Sequence, residues 1–480
     1  MNLSKALGGI QFPEANREKW RTLADKTLAG SSVEDALVSV TDDGIRIEPI
    51  FTRAIDAQVL PRRQPQKPWT IVQRIDDTNP ARANLQALED IAQGATGLSL
   101  VFEGAPSAFG YGLPATQESL DAVLAGVPLN QTHLRIDAHP ASRAMADWLV
   151  AYLGRQRADP AKLSLCFGID PAAIFAGSGR LSMTIEALQA SMPQSLAHFF
   201  ALGVPGVLLE ADGRVYHNAG ATEAQELGAM LATAAAHLRL FEDARQALVY
   251  AAPHIGFALS VDQDQFLSMA KIRAVRKLWA RLLEVCSIPD SPATIHAETS
   301  WRMMASADPE TNILRSTIAC FAAGAGGADS IAVLPHTIAN GLPDGFARRV
   351  ARNAQHIMAS ESHVDIVADP AAGSGAIEAL TDALCEKAWD EFRVIESEGG
   401  ILRSLESGKL QERIVAGRDE RTLRYQAGER QIVGTTVYRL PDEKPVATLP
   451  AEKRQLATDG AARCERLESP RIDELLGRSE

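Results

Sequence analysis

Two tripeptides set a histidine and a carboxylate one residue apart: Asp137-Ala138-His139 and His296-Ala297-Glu298. On an extended strand, residues i and i+2 share a face, so each pair could present its polar groups together. An imidazole beside a carboxylate can ligate a divalent metal or move a proton. Glu103, Asp170, Glu210, Asp212, Asp262 and His336 follow or end other β-rich runs and enlarge the set. One reading is therefore a metal-dependent hydrolase or lyase with His139, His296, Glu298 and His336 as ligands. The plainer reading is that polar side chains collect wherever strands reach water, and neither pair has a strong ligand spacing. Gly373-Ser374-Gly375 and Gly324-Ala325-Gly326-Gly327 match neither a Walker loop nor the full dinucleotide fingerprint, and there is no G-x-S-x-G elbow. Gly327 reads instead as the end of a helix.

The elements that must carry these residues alternate regularly. β-Rich runs fall at 70–73, 97–103, 132–138, 163–169, 206–212, 256–262, 293–299 and 329–335. Helical patterns lie between them, for example at 80–95, 141–156, 222–243 and 264–286, with an eighth over 343–360 in which Pro343 suits the first turn. In 264–286, Phe266, Met269, Ile272, Val275, Trp279 and Leu282 recur at helical spacing on one face, with Arg273, Lys277 and Arg281 mostly on another. Eight strand–helix units predict an α/β protein built on a (β/α)8 TIM barrel, whose functional residues sit on the loops after the strands. Several strands are rich in Val, Ile and Leu, as strands buried on both faces are.

Around this barrel, assigned to residues 67–365, the chain divides into an arm and linker (1–66), a helical extension (366–439) and a charged tail (440–480) rich in Pro, Arg and Glu, with a last helix at about 470–478. The arm has an amphipathic stretch through Trp20, Leu23 and Leu28, a short helix capped by Ser32 through Leu37, and a turn at Asp42-Asp43-Gly44. Pro61, Pro65 and Pro68 mark the linker. The extension begins at a flexible loop, Asp369 to Gly375, before helices at about 376–396 and 399–417. The net charge of -12 argues against a general nucleic-acid binder. The five cysteines are scattered without C-x-x-C spacing, which excludes a disulfide framework. The first residues lack the apolar core of a signal peptide and no apolar run is long enough to span a bilayer, so a cytoplasmic protein without membrane partners is expected.

Five stretches, in order, resemble the methylmalonyl-CoA mutase family. Lys67-Pro68-Trp69-Thr70-Ile71-Val72-Gln73 is similar to the opening of that family's barrel. Met269-Ala270-Lys271-Ile272-Arg273-Ala274 through Leu278-Trp279-Ala280 resembles its sixth helix, and His296 through Ser300 with Asp308-Pro309 and Asn312 through Thr317 resembles its seventh unit. Leu342-Pro343-Asp344 with Arg349, Ala351-Arg352-Asn353 and Glu361-Ser362, then Asp369-Pro370, Gly373-Ser374 and Glu378 through Thr381, complete the set. The resemblance implies a barrel through which an acyl-CoA threads, followed by a flavodoxin-like cobalamin domain.

The departures from that pattern bear on function. Where the family's catalytic subunit has a tyrosine after the first-strand glutamine, this chain has Arg74. Aligned on Asn218-Ala219-Gly220-Ala221, the family's tyrosine and histidine after the fifth strand are Arg214 and Val215, with Tyr216-His217 two residues on. The Ser-Gly-Trp after the seventh strand is Ser300-Trp301. The nearest string to the cobalt-ligating D-x-H-x-x-G is Asp137 to Ser142, which lies inside the barrel and ends in serine, so no cobalamin-binding domain is expected. Radical chemistry needs a cofactor that homolyses and a dry pocket. By resemblance, then, the chain is expected to be the small, catalytically inactive subunit of a heterodimer, with no catalytic, cofactor or metal residues of its own. Adenosylcobalamin would sit in the large subunit, an isomerase of propionate metabolism that interconverts methylmalonyl-CoA and succinyl-CoA. Phe12, Pro13, Trp20, Asp43-Gly44 and Ile47-Glu48-Pro49 would wrap that partner or pack on their own barrel. Two alternatives stand beside it: an active barrel served by a separate cobalamin protein, with His217 reaching the site through a shifted loop, and the metal-dependent enzyme above.

Overall fold

The computed structural model describes residues 16–28, 30–60, 64–442, 445–455 and 459–477. Eight parallel strands close into a barrel: β1 (Thr70–Ile75), β2 (Gly97–Leu100), β3 (His133–Ile136), β4 (Ser164–Ile169), β5 (Val207–Asp212), β6 (Ile255–Val261), β7 (Thr294–Thr299) and β8 (Ser330–Ala332). Six of the expected runs contain their strands, while β1 extends two residues past 73 and β6 begins one residue before 256. Closure is the pairing of β8 with β1, with Ser330 opposite Thr70 and Ala332 opposite Val72. The register slips in β4, where Gly168 takes φ +56° and a Cβ would lie 1.9 Å from the Ile136 carbonyl oxygen. Only glycine fits so close a backbone approach at positive φ.

The principal outer helices are α1 (Pro80–Ala92), α2 (Gln117–Val123), α3 (Ser142–Arg155), α4 (Ile185–Ala201), α5 (Glu223–Asp243), α6 (Gln265–Val285), α7 (Thr311–Gly326) and α8 (Gly345–His356). Their starts follow from capping chemistry. Asn79 accepts the amides of Ala81 and Arg82, Thr222 forms a capping box with Gln225, and Asp344 accepts the amide of Ala347. Because Asp344 caps α8, Pro343 lies outside its first turn and pairs with Thr448 instead. Gly327 ends α7 at φ +91°, as expected.

In α6 the apolar stripe is buried except for Phe266, which is 59% exposed at the first turn. Arg273 is not on a solvated face: it is buried against Asp369 and, at 2.5 Å, Glu378. The reason is α9 (Gly375–Ser397), which packs across α5 and α6 and covers that flank. Asp369 therefore ties down the loop expected to be flexible; it also accepts the Leu60 amide at 3.2 Å. The helix expected at 399–417 is two, Ile401–Glu406 and α10 (Lys409–Gln426), broken at Gly408 with φ +78°.

Among the described residues, the turn of the arm and the C-terminal segment both pack on the barrel. Residues 445–455 and 459–477 are not a solvated tail: they cross the barrel mouth as a strap. The Arg454 amide donates to the Gly110 carbonyl at 2.8 Å, Leu467 to Ala176 at 2.9 Å and Ile472 to Arg302 at 3.1 Å, while Ala462–Arg463 pairs antiparallel with Arg180–Leu181. The helix near its end is Ile472–Leu475. In the arm, Asn16 and Ser32 cap helices Arg17–Thr27 and Val33–Leu37, and the turn at Asp42-Asp43-Gly44 joins two short strands. Asp42 pairs with Arg421 at 2.7 Å and Arg430 at 2.5 Å, and Asp43 accepts the Ala224 amide at the start of α5, so this turn packs on its own barrel. Helix Arg17–Thr27 buries no residue. Phe12, Pro13 and Pro61 lie outside the described residues. Among those described, no helix is long and apolar enough to cross a membrane.

Candidate functional site

The barrel axis is filled by charge. Inward positions of parallel barrel strands are usually occupied by branched apolar side chains. Here Arg74 on β1, Arg135 on β3, Glu210 on β5 and Glu298 on β7 converge, none more than 4% exposed. Arg135 forms two parallel hydrogen bonds to Glu210, both 2.8 Å, and a third to Asp137 at 3.0 Å. Arg74 donates to Asp76 at 2.6 Å and to the Ser107 carbonyl, and lies 3.6 Å from Glu298. Arg214 holds Asp212 at 2.7 Å, Asp137 at 3.1 Å and Glu298 at 3.3 Å. Asp137 also accepts the hydroxyls of Ser99 and Ser107 at 2.8 and 2.7 Å.

Electrostatics follow from this packing. Burial by itself would raise the Asp137 carboxyl, but Arg214, Arg135 and Arg74 outweigh it and hold the group well below the usual carboxylate range. Glu298 is raised by burial in spite of Arg214 and Arg74. Buried ions need partners with good geometry, and the fork-to-fork pairing of Arg135 with Glu210 supplies it. Most polar groups of this axis therefore face one another.

Arg214 opens a short helix, Arg214–Ala219, directly after Gly213. Arg214 faces the axis, and Tyr216 and His217, two residues on, have no exposed surface. His217 Nε2 lies 2.9 Å from Ser300 Oγ, its Nδ1 3.1 Å from Glu226, and Lys271 Nζ 2.6 Å from the same carboxylate. Burial holds His217 well below its ordinary range, helped by Arg302 and Lys271, and raises Glu226 to about 7 against the pull of Lys271. Serine, histidine and glutamate in a row have the connectivity of a nucleophile, base and orienting group. All three have no exposed surface. What the row does is clamp the ends of β5 and β7 to α5 and α6. Its members lie as far as 83 positions apart in the chain, and no local pattern announced them.

The other mouth residues are dispersed. His139 Nε2 lies 2.8 Å from the Glu103 carbonyl oxygen and its Nδ1 accepts the Ala141 amide at 2.9 Å. His296 Nδ1 lies 2.9 Å from Ser330 Oγ inside the barrel, and His336 packs edge-on against Phe346. Asp170 caps helix Pro171–Ser178, Asp262 pairs with Arg302 at 3.2 Å, and Glu103 pairs with Arg454 at 3.0 Å. Among the described residues no group of three His, Cys, Asp or Glu is placed to hold a metal ion, so His139, His296, Glu298 and His336 do not form the site considered from the sequence. The string from Asp137 to Ser142 does not fit a cobalt ligand either. Asp137 belongs to the arginine network and both ring nitrogens of His139 are engaged. Sequence reasoning missed Arg135 and Lys271. The signal for Arg135 was a charged residue in a run otherwise bound for burial.

Comparison with known proteins agrees with the ordered resemblance. The family profile described as methylmalonyl-CoA mutase matches residues 41–477. A protein of Streptomyces virginiae named methylmalonyl-CoA mutase small subunit is 37% identical over 98% of this chain and 77% of its own length. The Propionibacterium freudenreichii small subunit is 32% identical over 92% of this chain and 72% of that protein. A probable small subunit of Mycobacterium tuberculosis is 36% identical over 79% of this chain, which spans 63% of that relative. With the closed eight-stranded barrel and the profile match over nearly its whole length, the chain belongs to the methylmalonyl-CoA mutase family, among its small subunits.

Proposed function

We propose that this chain is a catalytically inactive barrel that stabilises a large, adenosylcobalamin-dependent partner, in which methylmalonyl-CoA and succinyl-CoA are interconverted by radical carbon-skeleton rearrangement. The observation that carries the reading is the filled axis. Arg74, Arg135 and Arg214, locked to five carboxylates, stand where the family resemblance would have the acyl thioester run. A substrate entering there would have to displace buried ion pairs and leave charges unpaired, at a cost of several kcal/mol for each, on the order of the penalty for stripping one partner from a buried pair.

The active-barrel alternative loses its support because His217 is engaged at both ring nitrogens and Arg214 takes the inward position. The part of the arm free of its own barrel, helix Arg17–Thr27 with exposed Leu23, together with Ile55 and Val59, supports a role in holding the partner.

The experiment is mutase turnover with adenosylcobalamin, measured for this chain alone and co-expressed with a large-subunit chain. Turnover only in the co-purified heterodimer is expected. Turnover by this chain alone overturns the reading.

A further inference from the structure

Two cavities of about 470 and 460 Å3 adjoin at the barrel mouth beside the C-terminal strap and share Gly104 and Arg180. The second is walled by Ile169, Ile174, Leu181, Met183, Leu188 and Met192, an aliphatic lining unlike the charged axis. Its size is that of a small-molecule site. Arg143 and Arg180, both half-buried, belong to the same lining. Among the described residues, Arg143 donates to neutral hydroxyls, those of Ser191 at 3.1 Å and Ser195. Among the described residues, the Arg180 guanidinium meets no carboxylate, although its backbone is fixed by pairing with Arg463.

Four arginines, Arg143, Arg180, Arg454 and Arg466, and two acidic residues, Glu103 and Asp459, line the two cavities. Glu103 is already paired with Arg454. In a chain of net charge -12 this is a local excess of positive charge. A half-buried cation without a counter-ion is under-compensated, and a charge-assisted bidentate bond to a carboxylate or phosphate is the interaction that would satisfy it.

We propose that this cavity binds a medium-length aliphatic chain ended by an anionic head, a carboxylate or a phosphate. The chain lies against Ile174, Leu188 and Met192 and the head on Arg180 and Arg143. The site is off the barrel axis, and the inference holds whether or not the barrel itself turns over substrate.

The test is calorimetric titration of the full chain with octanoate, octyl phosphate and octylamine. One or both anions are expected to bind and the amine is not; which anion binds more tightly tells carboxylate from phosphate as the head. Arg180→Leu should weaken anion binding at least tenfold. Met183→Trp, which fills the aliphatic wall and keeps all four arginines, should do the same, and circular dichroism of both variants establishes that they fold. Failure of both anions to bind, equal binding of the amine, or wild-type affinity in both folded variants overturns the proposal.

Discussion

Arg135 and Glu210 offer the most direct trial of the filled axis. The two side chains are 1% and 2% exposed and share two 2.8 Å hydrogen bonds. Arg135→Met removes the cation and leaves Glu210 with little more than the Cys166 thiol, 3.4 Å away. Asp137, the other partner of Arg135, keeps Arg214, Ser99 and Ser107, so the penalty concentrates at Glu210. Removing one partner of a buried pair costs roughly 3–5 kcal/mol. At about 2 °C per kcal/mol for a domain of this size, the melting temperature should fall by roughly 6–10 °C. Replacing both residues by apolar ones of similar volume, Arg135→Met with Glu210→Met, removes the stranded charge and should recover most of that loss. The assay is thermal unfolding of wild type, both single variants and the double variant, read as a double-mutant cycle. A single variant within about 1 kcal/mol of wild type, or a double variant as unstable as the sum of the singles, would refute the claim that the axis is held by mutually dependent charges.

Three further outcomes follow from the same geometry. Burial keeps His217 neutral, so its contribution to stability is lost as pH falls below about 6.5, whereas Glu226, raised to about 7, costs stability as pH rises above about 4.5; between these values the two oppose each other. Glu226→Gln leaves only the histidine, and from pH 5 to 6.5 its stability should climb more steeply than that of wild type, by up to about 1.4 kcal/mol per pH unit; parallel melting curves across that range would count against the coupling. Trp301, stacked on Phe109 at 4.0 Å and donating to the Ser469 carbonyl at 2.9 Å, pins the strap. Trp301→Ala should cost about 3–5 kcal/mol and open residues 445–477 to limited proteolysis, with an unchanged digestion pattern showing that the strap is held elsewhere. Leu23→Asp with Ile55→Asp, at positions 63% and 84% exposed, should leave the melting temperature of the isolated chain unchanged and weaken association with the large subunit at least tenfold by analytical ultracentrifugation; undiminished affinity removes the arm from the interface.

The barrel was legible in the sequence because its signals are local. Alternation of β-rich runs with helical patterns, Ser32 as a cap and Gly327 as a stop are decided within a few residues, and the structure places each as expected. Errors came where an element met something distant. Arg273 reads as a surface cation until α9 covers it with Glu378, 105 positions away. The C-terminal segment reads as a solvated tail because its anchors, backbone groups and side chains of the mouth loops such as Trp301 and Glu103, lie far from it in the sequence.

The sequence by itself determined the eight strand–helix units, the family resemblance and the substitution of Arg74, Arg214 and Val215 for the expected tyrosine and histidine positions. Only the tertiary structure decided what those substitutions do. Arg135 and Glu210 are 75 positions apart, and Arg214 and Asp137 are 77 apart. Nothing in either neighbourhood says that they meet. They meet because closing the sheet, by pairing β8 with β1, turns alternate residues of every strand toward one axis, where desolvated charges must find partners among themselves.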